Sequence, residues 1–175
     1  MEYLFTLRDE DIFREPEFPT PASYEKRVTV KAIVRNEAGL YGFVTNPVHD
    51  CILLAGGGAE SPDLQKEVLR ECDEELFCEV EVIGTIGTAH EFRNRNGVEY
   101  ETACYVAKAV GEAHEDTRTD DEKKNGLYPV WLSGDEALQK MKMQEEKVRA
   151  REVAFYNTAF NIIRDLRFFE IFLSR

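Results

Sequence analysis

Apolar residues recur along the chain in two rhythms, and the change from one to the other divides it into strand and helix territory. From Arg27 to Val34 they alternate, with Val28, Val30, Ala32 and Val34 on one face, the two-residue period of a half-buried strand. Residues 41–46 and the run Cys51-Ile52-Leu53-Leu54 predict two further strands around an Asn46-Pro47 turn. Val80 to His90 reads as a strand bent at Gly84 and Gly87, and Val98 to Val110 alternates around Tyr100, Thr102, Cys104 and Val106, with Asn94-Arg95-Asn96-Gly97 as the hairpin turn. Leu127 to Leu132 predicts one more strand. The period becomes helical at Leu64, Val68, Cys72 and Leu76, with Leu69 beside them, so a helix over 62–76 buries one face and turns its acids outward. Ser133 opens a second helix through Met143. A last helix carries Val148, Val153, Phe155, Tyr156, Phe160, Ile163, Leu166, Phe169 and Phe172 as a broad stripe. That stripe can pack on the body alone or also on a second subunit, so a homodimer is one expectation.

Residues 1–24 read as an N-terminal extension. Tyr3, Leu4, Phe5 and Leu7 mixed with Asp9-Glu10-Asp11 suggest an arm or short strand, and Pro16, Pro19 and Pro21 then break regular structure. Residues 25–175 form the main domain, interrupted by a polar, acidic stretch from Glu112 to Asn125 that predicts a mobile loop. Element order alone supports α/β or α+β. With 175 residues and 43% hydrophobic content, one ordinary core accounts for the chain. A net charge of −12 argues against a broad nucleic-acid surface or an anionic-membrane surface. With no apolar run of eighteen residues and no leader pattern, the expected location is cytoplasmic. Cys51, Cys72, Cys78 and Cys104 lack metal-type spacing, which fits buried free thiols.

Candidate chemistry concentrates where a glycine triplet, Gly56-Gly57-Gly58, leads into Arg70-Glu71-Cys72-Asp73-Glu74-Glu75. On a helix, Glu71, Glu74 and Glu75 stand at i, i+3 and i+4, with Glu67 one turn earlier, so like charges crowd one face. A cationic partner relieves that repulsion, and carboxylate oxygens suit Mg2+ or Mn2+ better than zinc. Ser61 suits the N-cap, Pro62 the first helical position and Asp63 the positive end of the helix dipole. Glycine's freedom at positive φ lets such a loop approach phosphate or metal closely.

Gly57, five residues, Asp63, then Arg70-Glu71-Cys72-x-Glu74-Glu75 resembles the Nudix box of hydrolases acting on nucleoside diphosphates linked to another moiety. The segment departs from the family pattern at several points. Asp63 stands where glutamate is usual, six residues rather than seven separate it from Arg70, Phe77 replaces the terminal glycine, and Ala55 replaces a proline. A left-handed cap strains a bulky side chain, so the helix is expected to end differently at Phe77. The resemblance implies an α/β/α sandwich with a mixed β-sheet. It also implies a divalent-metal-dependent pyrophosphohydrolase of a nucleotide sugar, ADP-ribose, a dinucleotide or a nucleoside triphosphate. The alternative is a Nudix-like nucleotide-binding module with weak turnover. Carried over residue by residue, Glu71 and Glu75 become the main metal ligands, Glu74 assists, a carbonyl of Gly56 or Gly57 completes the site, and Arg70 orients a neighbouring carboxylate.

The same resemblance implies one further acid from a loop about forty residues on. Glu115 fits, and Asp116 and Glu112 fit equally by composition. Arg93 and Arg95 beside Phe92 are candidates to meet substrate phosphate and a base, although a hairpin tip also favours such residues for solvation. Tyr41 and Phe43 are candidates to border a nucleoside pocket. His49, His90 and His114 are isolated and read as structural or exposed.

Overall fold

The computed structural model describes residues 1–15, 17–46, 51–111, 114–116 and 126–175. Pro47 of the expected Asn46-Pro47 turn, His49, Glu112 and most of the acidic loop lie outside the described residues. Among the described residues, seven strands and four helices run in the order β1 (Tyr3–Arg8), α1 (Asp9–Ile12), β2 (Glu25–Arg35), β3 (Tyr41–Asn46), β4 (Cys51–Leu54), α2 (Leu64–Leu76), β5 (Glu79–Arg93), β6 (Val98–Val110), β7 (Tyr128–Leu132), α3 (Gly134–Arg149) and α4 (Tyr156–Leu173). The sheet order is β1-β5-β6-β2-β3-β4, with β7 also pairing β3. β1 with β5 and β2 with β6 are parallel, and the remaining pairs are antiparallel.

Helices cover both sheet faces. Val68, Cys72 and Leu76 of α2 pack with Val30, Ala32, Val34, Ala103 and Ala107 on one side. Across the sheet, Ala137 and Met141 of α3 and Leu166, Phe168 and Phe169 of α4 meet Ile33, Phe43, Leu54 and Cys104. The result is the expected α/β/α sandwich on a mixed sheet. β2 is therefore buried on both faces from Val30 to Val34, while its start, Glu25 to Val28, is exposed, so the expected alternation is not seen in its burial. The N-terminal segment is a working part of this body, because β1 forms a sheet edge and Leu7 and Ile12 are fully buried.

Gly84 and Gly87 stand at the two register shifts between β5 and β6. At Gly87, φ is +147° and a Cβ would lie 2.5 Å from the Glu2 carbonyl oxygen, so β1 can approach only because no side chain is there. Ser133 caps α3 reciprocally with Glu136. The stripe from Val148 to Phe172 is split between two helices: Val148 belongs to α3, Val153 and Phe155 to the connection, and α4 begins at Tyr156. A positive φ of 60° at Arg151 makes the break. The α4 face from Tyr156 to Phe169 is buried in the body.

Candidate active site

Backbone pairing sets the position of the glycine loop. Beyond β4 the chain continues antiparallel to β2, with Ala32 N–H donating to Ala55 O and Val30 N–H to Gly57 O, each at 3.0 Å. Gly56 takes φ +131°, and a Cβ there would lie 2.1 Å from Val30 O. Gly56→Ala is expected to cost roughly 2–4 kcal/mol, since strained φ and a backbone clash add; a urea midpoint unchanged from wild type would contradict this.

α2 starts two residues later than expected. Asp63, not Ser61, is its N-cap, and its carboxylate accepts from Lys66 N–H at 3.2 Å. Only half of the acidic face turns outward. Glu67 and Glu71 are buried, Glu75 is half-buried and Glu74 is exposed, whereas apolar Leu69 is exposed. The reason is the loop, which folds back over this side of the helix and supplies polar partners. Gly56 N–H donates to Glu75 Oε2 at 2.7 Å, and Glu60 N–H to Glu67 Oε2 at 3.2 Å. The Glu71 carboxylate lies against Gly57, where a Cβ would come within 2.6 Å of Oε1.

Arg70 ties the acids together. Its guanidinium donates to Glu67 Oε2 at 3.0 Å, Glu71 Oε1 at 2.6 Å and Glu74 Oε2 at 2.8 Å, and reaches Gly58 O at 3.4 Å. Burial works against its charge, but the three carboxylates overcome it and hold Arg70 above its ordinary pKa. Glu67 is held low by the Glu60 amide, then by Ser61 and Arg70. Glu75 is pushed up by burial, against the opposing effects of Lys31 and the Gly56 amide.

Among the described residues no group of three or more His, Cys, Asp and Glu side chains stands in metal-holding geometry. The donor chemistry nevertheless fits a hard divalent ion. Glu71 and Glu75 offer carboxylate oxygens one turn apart beside loop carbonyls, with Glu74 at the rim. A cation entering here shares Glu71 and Glu74 with Arg70.

Phe77 corrects the expected helix ending. It adopts φ 54°, ψ 37°, the left-handed cap usually left to glycine. The 114–116 segment holds it there: His114 N–H donates to Phe77 O at 2.8 Å, and the two rings meet edge to face at 5.9 Å. His114 Nε2 pairs with Asp73 at 2.9 Å. The segment thus docks on Asp73, about 200° around the helix from Glu71 and from Glu75, and exposed Glu115 is not brought together with them. The Glu115 carbonyl, followed by Asp73, raises the His114 pKa above 6.5. Its stabilising effect is therefore complete below 6.5 and lost as pH rises through the raised value. An NMR titration is expected to place His114 above 6.5 in wild type and nearer 6.5 in Asp73→Asn; equal values in both would refute the pairing.

The other proposed contact residues lie elsewhere. Arg93 is only 3% exposed. It bonds Glu91 at 2.8 Å and Asn161 at 2.7 Å and stacks over Tyr100 at 4.4 Å, so it is a core residue and not a phosphate ligand at a hairpin tip. Arg95 is exposed over Phe18 and Tyr156, on a separate cavity of about 260 Å³. Tyr41 and Phe43 point across the sheet from α2, onto Phe169 of α4. His90 pairs with Glu99 at 3.0 Å.

In their place, an open cleft of about 910 Å³ adjoins Arg70 and Glu71 and is lined by Lys26, Arg27, Gly58, Ser61 and Tyr100. Lys26 and Arg27 carried only a weak signal, two cations at the start of an alternating strand. Lys31 carried a better one, a charge flanked by apolar positions on both sides. All four cysteines are buried, and burial, with Asp73 assisting, raises Cys78 to about 11. No helix among the described residues is long and apolar enough to cross a membrane.

In this α/β/α sandwich a glycine loop paired along the mixed sheet faces an acidic, arginine-tied helix. No protein-family model matches the chain, and a search of curated proteins finds no match. Solved structures do match. A Nudix hydrolase from Nitrosomonas europaea superposes with a TM-score of 0.51 at 22% identity, over 71% of this chain and 88% of that one. For a MutT Nudix hydrolase from Burkholderia pseudomallei the figures are 0.51, 22%, 63% and 85%. For a UDP-X diphosphatase they are 0.50, 17%, 74% and 66%. The chain has the fold of the Nudix superfamily.

Proposed function

We propose that the chain is a divalent-metal-dependent pyrophosphohydrolase of a small nucleoside diphosphate linked to another moiety. What carries the reading is the meeting of glycine-loop backbone and α2 carboxylates, Gly56 N–H on Glu75 and Glu71 against Gly57, with Arg70 and Glu71 reaching the wall of a nucleotide-sized cleft. Glu71 and Glu75 would hold Mg2+ or Mn2+, with Glu74 assisting. The bound ion would supply neutralisation of the charge that develops on the pyrophosphate oxygens.

The chain's own groups do the rest. Arg70 fixes the Glu71 and Glu74 carboxylates at 2.6 and 2.8 Å, so both are oriented before substrate arrives. Lys26 and Arg27 place positive charge on the cleft for phosphate, and Tyr100 offers a ring edge or face to a base. Exposed Glu74 would take a proton from the attacking water at Oε1, Oε2 being held by Arg70, and release it to solvent; the water oxygen bonds to one phosphorus as its bond to the bridging oxygen breaks, and two phosphate monoesters leave.

One observation favours the binding-module alternative: Arg70 already pairs with Glu67, Glu71 and Glu74. Assays with Mg2+ or Mn2+ against nucleotide sugars, ADP-ribose, dinucleotides and nucleoside triphosphates decide between the two. Turnover of one class supports hydrolysis. Thermal stabilisation by a nucleotide without turnover supports the module.

A further inference from the structure

The buried ammonium of Lys31 has no part in the reading above. It is 7% exposed and donates to two loop carbonyls, Leu54 O at 2.8 Å and Gly56 O at 2.6 Å. Gly56 packs directly on it, since a Cβ at Gly56 would lie 2.9 Å from Lys31 Cα. The same Gly56 presents its N–H to Glu75, so ammonium, glycine peptide and carboxylate form one continuous unit. Lys31, Gly56 and Glu75 also share a cavity of about 320 Å³ with Val44, Leu53 and Asn161. A lysine buried at this level needs counter-charge and acceptors. Here the acceptors are the two loop carbonyls, Leu54 O and Gly56 O, and the Glu75 carboxylate lies on the same cavity.

We infer that Lys31 is a built-in cation of the site, competing with a divalent ion for the Gly56 carbonyl and for the charge of Glu75. It is a positioning residue: it sets how strongly the site takes metal and does not touch the reacting phosphorus. The inference rests on the metal reading proposed above. Two unit charges a few ångströms apart in a partly buried site interact strongly enough to alter an ion's affinity by an order of magnitude.

Mn2+ binding to the full chain, followed by electron paramagnetic resonance, tests it without substrate. Lys31→Met is expected to bind Mn2+ about tenfold tighter than wild type, and its melting temperature to rise more on Mn2+ addition. Lys31→Gln keeps an N–H donor for the Gly56 carbonyl while removing the charge, and serves also if the methionine variant does not fold. A lysine that merely clamps the loop predicts wild-type affinity for Lys31→Gln; a competing cation predicts the gain. Unchanged Mn2+ affinity in the variants, with wild type binding the ion, overturns the Lys31 assignment alone. Mn2+ bound by none of the proteins overturns it together with the metal reading.

Discussion

Glu71→Gln and Glu75→Gln are each expected to lower kcat by roughly 10²–10³, the scale on which removal of a principal electrostatic group acts in a water-poor site. Stability is expected to move differently. Glu75 has its pKa raised by burial, so the folded state prefers its protonated form. For an acid shifted upward, stability is complete below the unfolded pKa and declines as pH rises through the folded one. At neutral pH the ionised carboxylate is thus a burden on the metal-free fold, and Gln, which still accepts from Gly56 N–H through its carbonyl oxygen, removes it. Glu75→Gln should therefore melt no lower than wild type in chelator while losing activity. Asp73→Asn, on the opposite side of the helix, should keep wild-type kcat. Full activity in both glutamine variants would sink the mechanism, whereas loss of activity with loss of folding would show only that the carboxylates support the structure.

Arg164→Met is expected to lower stability by about 3–5 kcal/mol, the cost of leaving buried carboxylates unpaired. Arg164 is 3% exposed and bridges two fully buried acids, Glu91 at 3.0 Å and Asp165 at 2.8 Å. Burial would raise Glu91, but Arg164 and Arg93 reverse this and hold its carboxyl below the usual range. Removing the guanidinium takes from Asp165 its ion-pair partner in the core and leaves Glu91 with Arg93 alone. The melting temperature should fall by roughly 6–20 °C for a chain of this size, with differential scanning calorimetry as the measurement; a fall below about 2 °C would show the pair to be dispensable. A local effect should accompany the global one. Asp165 Oδ2 accepts from Leu54 N–H at 3.0 Å, and Leu54 leads into the glycine loop, so the cluster braces the strand that delivers Gly56.

Local chemistry was legible in the linear chain because its causes are local. Cys51 to Leu54 read as a short buried strand, Gly56 to Gly58 as an irregular loop, and 62–76 as a helix with Arg70, Glu71, Glu74 and Glu75 clustered, two residues longer at its start than the helix observed, since periodicity and glycine freedom act over a few residues. The alternating and helical rhythms supported α/β or α+β, and the layered sandwich came from the resemblance of the glycine-to-carboxylate segment. Placement was a different matter. Whether Glu67 and Glu71 face water or the loop depends on how the loop folds back along β2, which no i, i+4 spacing contains. Phe77 can hold a glycine's conformation because His114, thirty-seven positions on, docks against it. Arg93 looked like a hairpin-tip cation, and α4 turned it into a core residue by bringing Asn161 and Phe160 to it. Lys31 read as one charge in a strand until pairing with the loop put two carbonyls around its ammonium. Helical and strand periods, caps and glycine turns are properties of neighbouring residues, and the sequence alone determined them. Which charges are buried, and what each one meets, is set by contacts between segments far apart in the chain, and only the tertiary structure decided it.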